Sequence, residues 1–166
     1  MPMKTKIVLI FVGIVLFLVT TNTALGDSPS FVSADEVMVK VKLGLPAEYD
    51  HAVIKGNLTS ERLGLTAKQI IRIPFEVKMP PSDKPMLANS SIVIKNSIID
   101  GRMDFNNTVF QKQVSFENTL FLENASFTYS TFNGEVTFAH SMFKNTGNFT
   151  GSQLNEKASF LQTYFN

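Results

Sequence analysis

The sequence predicts an all-β solenoid, a fold in which successive coils of short strands stack on one another. Large apolar residues, mostly phenylalanine, recur at alternating steps of five and six residues, which gives one period of eleven. Such steps scatter side chains around a helix of 3.6 residues per turn, so the series excludes a helix. A fixed repeat of this length indicates coils that stack on copies of themselves. The series is Ile94, Ile99, Phe105, Phe110, Phe116, Phe121, Phe127, Phe132, Phe138, Phe143, Phe149, Leu154, Phe160 and Phe165.

The first 26 residues have the features of a signal peptide. Lys4 and Lys6 give a basic start, Ile7 to Val19 is an apolar run, and small residues precede Asp27. The run is shorter than the roughly 20 residues that span a membrane. We therefore expect a secreted or cell-surface protein, which stays anchored in the membrane if this segment is retained.

The charge balance argues against a nucleic-acid partner. The chain has 15 basic and 14 acidic residues, and removal of the N-terminal segment leaves 13 basic residues against 14 acidic ones. A chain this close to neutrality offers no basic track for a phosphate backbone and no acidic surface that would mimic DNA. It also contains no cysteine, so we expect core packing rather than disulfides to hold an exported fold together.

A capping strand is predicted ahead of the coils. Residues 27–51 form a leader, and within it the stretch 36–45 alternates apolar and polar side chains with a period of two. A first strand of this kind would cover the open end of a solenoid, where apolar surface and backbone groups are otherwise unpaired. The apolar positions of the alternation are Val37, Val39, Val41 and Leu43.

An early coil and an insertion are predicted next. The letters AVIKGNL in residues 52–60 parallel SIIDGRM at residues 97–103, which indicates a first coil of the same solenoid. Residues 61–89 then interrupt the repeat as an insertion, which includes the proline-rich loop 79–85.

The β-helix proper is predicted over residues 90–166. Two residues before each ring lies a second inward position, which is mostly small and apolar in one half of the unit and serine or threonine in the other. Two residues after the rings are residue types that tolerate a left-handed corner. These corner candidates are Asn107, Asn118, Gly134, Asn145 and Gly151.

The pattern resembles the pentapeptide-repeat family in its eleven-residue variety. The segments FQKQVSFENTLF, FLENASFTYSTF and FNGEVTFAHSMF carry the resemblance. It implies a right-handed quadrilateral β-helix in which two eleven-residue units make one coil of 22. Residues 92–165 would then form a little over three coils. Some members of the family inhibit topoisomerases by mimicking DNA, which requires a strongly acidic cytoplasmic rod that this chain does not match.

One side of the predicted helix carries apolar residues that should point outward. The residue before each second-half ring faces away from the core, and at 22 residues per coil three of these positions stack. The residues before the first-half rings are polar instead, which confines the apolar column to one side. They are Asp104, Ser115, Ser126, Thr137, Asn148 and Ser159. Either the insertion 61–89 covers this column or it is a surface for a partner or a second copy. The three residues are Leu120, Met142 and Tyr164.

No catalytic, cofactor-binding or metal-ligating motif is apparent. His140 follows Phe138 by two residues, which predicts a solvated corner rather than a ligand, and the acidic residues are scattered on outward positions. Five Asn-x-Ser/Thr sequons are candidate acceptors for N-linked glycans in an exported chain. They are Asn57, Asn89, Asn106, Asn124 and Asn148.

Together these features predict a non-enzymatic, exported structural or interaction module of the cell envelope. We expect its partner to be an envelope protein or polymer and not a nucleic acid. The alternative is the truncated exterior domain of a membrane transport or sensory protein. The repeat reaches Asn166 without a change of pattern, which leaves an end-to-end homodimer open as a further expectation.

Overall fold

Short parallel strands joined by tight corners make up the protein in a computed structural model that describes residues 28–63 and 85–166. The predicted targeting segment and most of the predicted insertion lie outside the described residues. A helix, α1 (Ala34–Lys42), and a 3-10 turn (Ser60–Leu63) accompany the strands. The strands are β1 Ser30–Ser33, β2 Ala47–Asp50, β3 Ala52–Lys55, β4 Leu58–Thr59, β5 Met86–Ala88, β6 Ile92–Lys95, β7 Ile98–Asp100, β8 Met103–Asp104, β9 Thr108–Phe110, β10 Val114–Ser115, β11 Leu120–Phe121, β12 Ala125–Ser126, β13 Thr131–Phe132, β14 Val136–Thr137, β15 Met142–Phe143, β16 Gly147–Asn148, β17 Gln153–Leu154, β18 Ala158–Ser159 and β19 Tyr164–Phe165.

Each coil contributes one strand to each of four parallel sheets, which we name faces A to D in chain order. Face A contains β2, β6, β10, β14 and β18, face B contains β1, β3, β7, β11, β15 and β19, face C contains β4, β8, β12 and β16, and face D contains β5, β9, β13 and β17. Val114 pairs with Val136, and Val136 pairs with Ala158, so the regular register is 22 residues. The predicted all-β solenoid is confirmed, with about five turns.

The phenylalanine series forms columns of stacked rings that fill the core. Phe105, Phe127 and Phe149, on face C, lie nearly parallel with centroids 6.1 and 5.0 Å apart. Phe138, on face A, meets Phe127 edge-on at 5.5 Å, so rings from opposite faces contact each other across the coil. Offset-stacked and edge-to-face pairs are the favourable aromatic geometries. The fully buried rings are Phe105, Phe110, Phe116, Phe121, Phe127, Phe132, Phe138 and Phe143.

Buried hydroxyl groups join successive coils at the positions where the repeat prefers serine or threonine. Ser130 Oγ donates to the carbonyl of Phe105 at 2.5 Å and accepts from the amide of Thr108 at 3.2 Å. Ser152 Oγ makes the equivalent bond to the carbonyl of Phe127 at 2.6 Å. Because buried backbone groups need hydrogen-bond partners, alanine in place of Ser130 would remove the partner of the Thr108 amide. The Phe127 carbonyl also accepts from the Ser130 amide at 3.0 Å, so alanine in place of Ser152 would leave it one partner.

The left-handed corners occur in only one half of the repeat. Asn107, Asn118 and Gly151 have positive φ, as predicted, but Gly134 and Asn145 do not, so that part of the prediction is wrong. Every left-handed residue of the regular repeat lies in a five-residue step, where the chain must turn with one residue fewer than in a six-residue step. The corners of this kind are His51, Asn96, Asn107, Asn118, Tyr129, His140, Gly151 and Gln162. The predicted solvated corner at His140 is confirmed.

The predicted capping strand over residues 36–45 is wrong, because α1 occupies this part of the chain. Ser33 is the N-cap and its Oγ accepts from the amide of Asp35 at 3.1 Å. The buried positions follow helical spacing and pack against β4, the 3-10 turn, β1 and β2. They are Ala34, Val37, Met38 and Val41. Across the described ranges, no helix has the length and apolar character needed to cross a membrane.

Three further strands lie outside the predicted repeat. β1 is in the predicted leader and pairs in parallel with β3, while β2, also in the leader, pairs with β6 on face A. β5 lies at the end of the predicted insertion and pairs with β9 on face D. The solenoid therefore includes residues that the regular repeat alone does not identify.

Candidate interaction surface

An outward apolar column runs along face B through six strands. Leu120 pairs with Met142, and Met142 pairs with Tyr164, so the three predicted residues are neighbours in adjacent coils. Beyond the three predicted residues, the column continues toward the N-terminal end of the solenoid through Ile98, Val53 and Phe31. Coils are about 4.8 Å apart, which spaces these side chains evenly along the axis. We call these six residues the apolar column.

The apolar column is accessible only in part. Leu120 has 6% of its surface exposed and belongs to a small buried cluster with Val53 and Ile98 on the outside of the coil. Met142 is 46% exposed and Tyr164 is 62% exposed. Phe31, at the opposite end of the column, is 68% exposed. A partner that approaches the C-terminal end of face B therefore meets Met142 and Tyr164, whereas Leu120, one coil before Met142, is buried. The predicted insertion, the other candidate cover of the column, lies largely outside the described residues.

Charges next to the accessible part are basic. His140 lies two residues before Met142, and Lys144 lies two residues after it, and both side chains are exposed. The corresponding positions of the next coil are Gln162 and Asn166, which are exposed and uncharged. Acidic groups would therefore complement the border of this surface.

The equivalent outward positions of face D are less apolar. Thr131 pairs with Val109 on one side and with Gln153 on the other, and Val109 pairs with Leu87, so the column on face D is apolar in its first two coils and becomes polar at Thr131 and Gln153. Since both faces have the same backbone, their chemical difference comes from these side chains alone. Face D thus provides a matched internal control for any experiment on face B.

A second feature is an open groove of about 300 Å³ on face A. Thr137 and Ser159 pair in register on its floor, and a carboxylate, an imidazole and an amine line its sides. Val136, Ala139 and Leu161 line it as well, so the groove offers apolar contact beside groups that donate and accept hydrogen bonds. The lining includes Glu117, Glu135, Thr137, His140, Lys157 and Ser159. Sequence reasoning did not identify this groove, because its residues come from three coils and form no contiguous motif.

Ion pairs account for several charged groups. Lys95 Nζ lies 3.3 Å from Glu117 Oε2, and His51 Nδ1 lies 3.1 Å from Asp50 Oδ1. In residues 28–63 and 85–166, no three His, Asp or Glu side chains are grouped so that they could hold a metal ion. The first contact joins two successive coils, whereas Asp50 and His51 are neighbours in one coil, and neither pair forms a recognisable catalytic arrangement among the described side chains.

The helix α1, which we call the cap because it packs on the first coil, is joined to that coil by a cluster of three side chains. Tyr49 on β2 donates from its hydroxyl to Glu36 Oε1 at 2.9 Å, and Lys40 Nζ lies 3.6 Å from the same carboxylate oxygen. Lys40 also sits over the Tyr49 ring, 4.5 Å from its centroid. Burial raises the pKa of the Tyr49 phenol above its ordinary value of 10.0, and the hydrogen bond to Glu36 acts in the same direction.

Four of the five sequon asparagines lie on or beside the strands of face C. Asn148 is the second residue of β16, Asn57 and Asn124 come directly before β4 and β12, and Asn106 follows β8 by two residues. Asn89 lies apart from them, between β5 and β6. A scan for sequons finds these residues, but their concentration on one side follows only from the coil geometry.

The comparisons with known proteins agree with the coil geometry. A family model described as pentapeptide repeats (9 copies) matches residues 94–142 and residues 105–153. The fold defines the molecule as a parallel β-solenoid of four-sided coils. Residues 94–153, which the family model matches, are therefore pentapeptide repeats, and the stacked coils of the described chain are consistent with a pentapeptide-repeat protein. No curated protein and no solved structure matches the chain.

Proposed function

We propose that the chain is a non-enzymatic, exported structural or interaction module of the cell envelope, and that it docks through the accessible end of the apolar column. The observation that carries this proposal is the pair Met142 and Tyr164, which are exposed, apolar and in register on a flat parallel sheet. The N-terminal segment supports export, since its basic start and short apolar run are typical of signal peptides.

The occupant that fits this surface is an envelope protein with an apolar strip bordered by acidic groups. Met142 and Tyr164 provide the apolar contact, and His140 and Lys144 border it with basic groups. Aromatic residues and methionine are enriched in the centres of protein interfaces, where they exclude water from the contact. Complementary charge at the rim then favours encounter in one orientation.

Lysine substitutions on faces B and D test this surface. Met142→Lys places a charge in the centre of the proposed contact, whereas Gln153→Lys places the same charge at an exposed strand position on face D. In the native host, we expect Met142→Lys to lower the amount of protein retained on washed envelopes by at least about tenfold, and Gln153→Lys to leave it unchanged. Equal thermal unfolding midpoints would show that both variants are folded.

Two outcomes would contradict the proposal. If both variants are retained like the unmodified chain, face B is not the docking side. If Met142→Lys instead halves the mass of the purified protein in light scattering, the occupant is a second copy and not an envelope partner.

A further inference from the structure

Nine asparagines of the solenoid fall into two groups, according to whether the side-chain nitrogen Nδ2 donates a hydrogen bond to a described residue. In the first group Nδ2 donates a hydrogen bond, and the residue two positions on is never serine or threonine. These asparagines connect coils along the corners, mostly in side-chain ladders. Their bonds run from Asn96 to Asp50 at 2.7 Å, from Asn118 to Asn96 at 2.8 Å, from Asn133 to Gln111 at 3.2 Å, from Asn155 to Asn133 at 2.8 Å, and from Asn145 to the carbonyl of Leu122 at 2.9 Å.

In the second group Oδ1 accepts, and every member is a sequon asparagine of face C. Asn57 Oδ1 accepts from the amide of Arg102 at 3.0 Å, and Asn124 Oδ1 accepts from the amide of Thr146 at 3.4 Å. Backbone amides can only donate, so they fix which end of each side chain is the oxygen. Asn106 Oδ1 accepts from the amide of Thr128 and the hydroxyl of Ser126, and Asn148 Oδ1 accepts from the amide and hydroxyl of Thr150.

The Nδ2 atoms of this second group are therefore uncommitted within the described part of the chain. None of the four donates a hydrogen bond to a described residue, while the corner asparagines of the first group all do. Asn57 and Asn124 are exposed, and Asn106 and Asn148 are half-buried. Within the described residues, Nδ2 is thus the polar atom of these side chains that makes no hydrogen bond, and Nδ2 is also the atom to which an N-linked glycan is attached.

We propose that face C is the glycan-bearing face of this protein, with Asn57, Asn106, Asn124 and Asn148 as acceptors of N-linked oligosaccharide. The inference rests on the proposed function, because the modification belongs to exported chains. It leaves the apolar column of face B without attached sugar. The fifth sequon asparagine, Asn89, is exposed between β5 and β6, so a glycan there would lie between faces D and A and not on face C. Glycans on the face C group would cover that side of the solenoid and leave face B for contact.

The chemistry of the transfer leaves the hydrogen bonds of face C intact. The donor is an oligosaccharide linked through pyrophosphate to a lipid, and a transferase of the export machinery catalyses the step. The bond between sugar C1 and the phosphate oxygen breaks, and the oxygen keeps the electron pair. Nδ2 forms the new bond to C1 and releases one proton. Oδ1 is not altered and Nδ2 keeps one hydrogen, so each acceptor retains the bonds that it makes to the coil.

The test is to map the glycans on the full chain secreted from a host that performs N-linked glycosylation. Mass spectrometry of its peptides should find glycan on the face C asparagines. The glycans are then trimmed enzymatically to one sugar each. The thermal unfolding midpoint of this chain should equal that of the same chain made without glycosylation, because no hydrogen bond between described residues of the coil depends on Nδ2 of these asparagines.

A matched control uses an asparagine of the first group. Glu135→Thr creates a sequon at Asn133, whose Nδ2 donates to Gln111. A glycan there leaves Nδ2 one hydrogen but places the sugar on the nitrogen that donates to Gln111, where it crowds the ladder between coils, so we expect the glycosylated variant to unfold at least about 4 °C below the same variant made without glycosylation. The unglycosylated variant separates the effect of the substitution itself from the effect of the sugar.

The outcomes distinguish this inference from the proposed function. A secreted, folded chain that lacks the N-terminal segment but carries no sugar on face C would overturn the inference and leave the proposed function standing. A chain that is not exported at all would contradict both. If the face C glycans lower the unfolding midpoint as much as a glycan at Asn133 does, the two groups are equivalent and the inference is wrong.

Discussion

Individual phenylalanine rings in this core contribute unequally to the stability of the protein, according to their position in the stack. Phe127 is fully buried between Phe105 and Phe149 and meets Phe138 edge-on. Phe165, in the last coil, is 51% exposed, stacks on Phe143 at 4.8 Å and meets Phe149 edge-on at 6.4 Å. A ring in the middle of the column therefore has partners on both sides, and a ring in the last coil has a partner on one.

Truncation of these two rings should give unequal losses of stability. We expect Phe127→Ala to lower the free energy of unfolding by about 3 to 5 kcal/mol, the range for a large core truncation. Phe165→Ala should lower it by only about 1 kcal/mol, because half of its surface is already in water. Urea unfolding measures both values, and equal losses would contradict a stacked core.

Glycine is required where two coils approach most closely. Gly101 pairs in register with Gly56, and a Cβ atom at Gly101 would lie 2.1 Å from the Gly56 carbonyl oxygen. The two glycines explain why AVIKGNL and SIIDGRM parallel each other in sequence. The obstacle is backbone, so no side-chain rotation can relieve it.

Gly101→Ala should therefore destabilise the protein strongly, by at least about 2 kcal/mol. Gly44→Ala is the matched control, because its added Cβ would meet no atom within 4 Å although its φ is +71°. We expect a loss of only about 1 kcal/mol there, from backbone strain alone. Comparable losses in thermal unfolding for the two variants would indicate that the coils can separate locally.

At the scale of elements, the cap is where sequence reasoning was least successful. Val37, Val39 and Val41 alternate with polar residues, which favours a strand, yet Val39 is exposed in the helix. The helical signals were present as well. Ser33 and Glu36 have the spacing of a capping box, which marks the start of a helix, and the buried residues recur at intervals of three and four. Packing against the first coil decides between the two patterns.

The solenoid, in contrast, was predictable because one pattern recurs along its whole length. Each ring position repeats the same local environment, so the period is visible even though no strand exceeds four residues. The left-handed corners at Tyr129 and Gln162 were not predictable from residue type, because neither is a usual left-handed residue. The five-residue step imposes that conformation on whichever residue lies there. The face A groove and the grouping of sequons could be identified only from the register between coils, which the sequence alone does not show.

The attachment of the cap should weaken at high pH. The pKa of Tyr49 is raised in the folded protein by burial, so the unfolded chain loses the phenolic proton first as the pH rises through its ordinary value of 10.0. The stabilisation is fully present below that value and is lost as the pH approaches the folded pKa. We expect the unfolding midpoint to fall more steeply for the unmodified chain than for Tyr49→Phe between about pH 9 and pH 11. Parallel pH profiles would show that the phenol is not linked to folding.

At the scale of the whole molecule, the four faces share a backbone and differ in their outward chemistry. Face B presents apolar side chains, face A has an open groove, and face C carries four of the sequons. A solenoid allows this division because every face is a column of equivalent positions, so one substitution per coil changes one side alone. The faces can therefore serve for contact and for modification without disturbing the common core.

The most direct test of an exported solenoid module is the intact mass of the native protein, measured on separated cytoplasm, envelope and medium. We predict a species in the envelope or the medium whose mass corresponds to residues 27–166, with sugar added to it. A longer species in the envelope would favour the exterior domain of a membrane transport or sensory protein. An unprocessed chain confined to the cytoplasm would contradict the account.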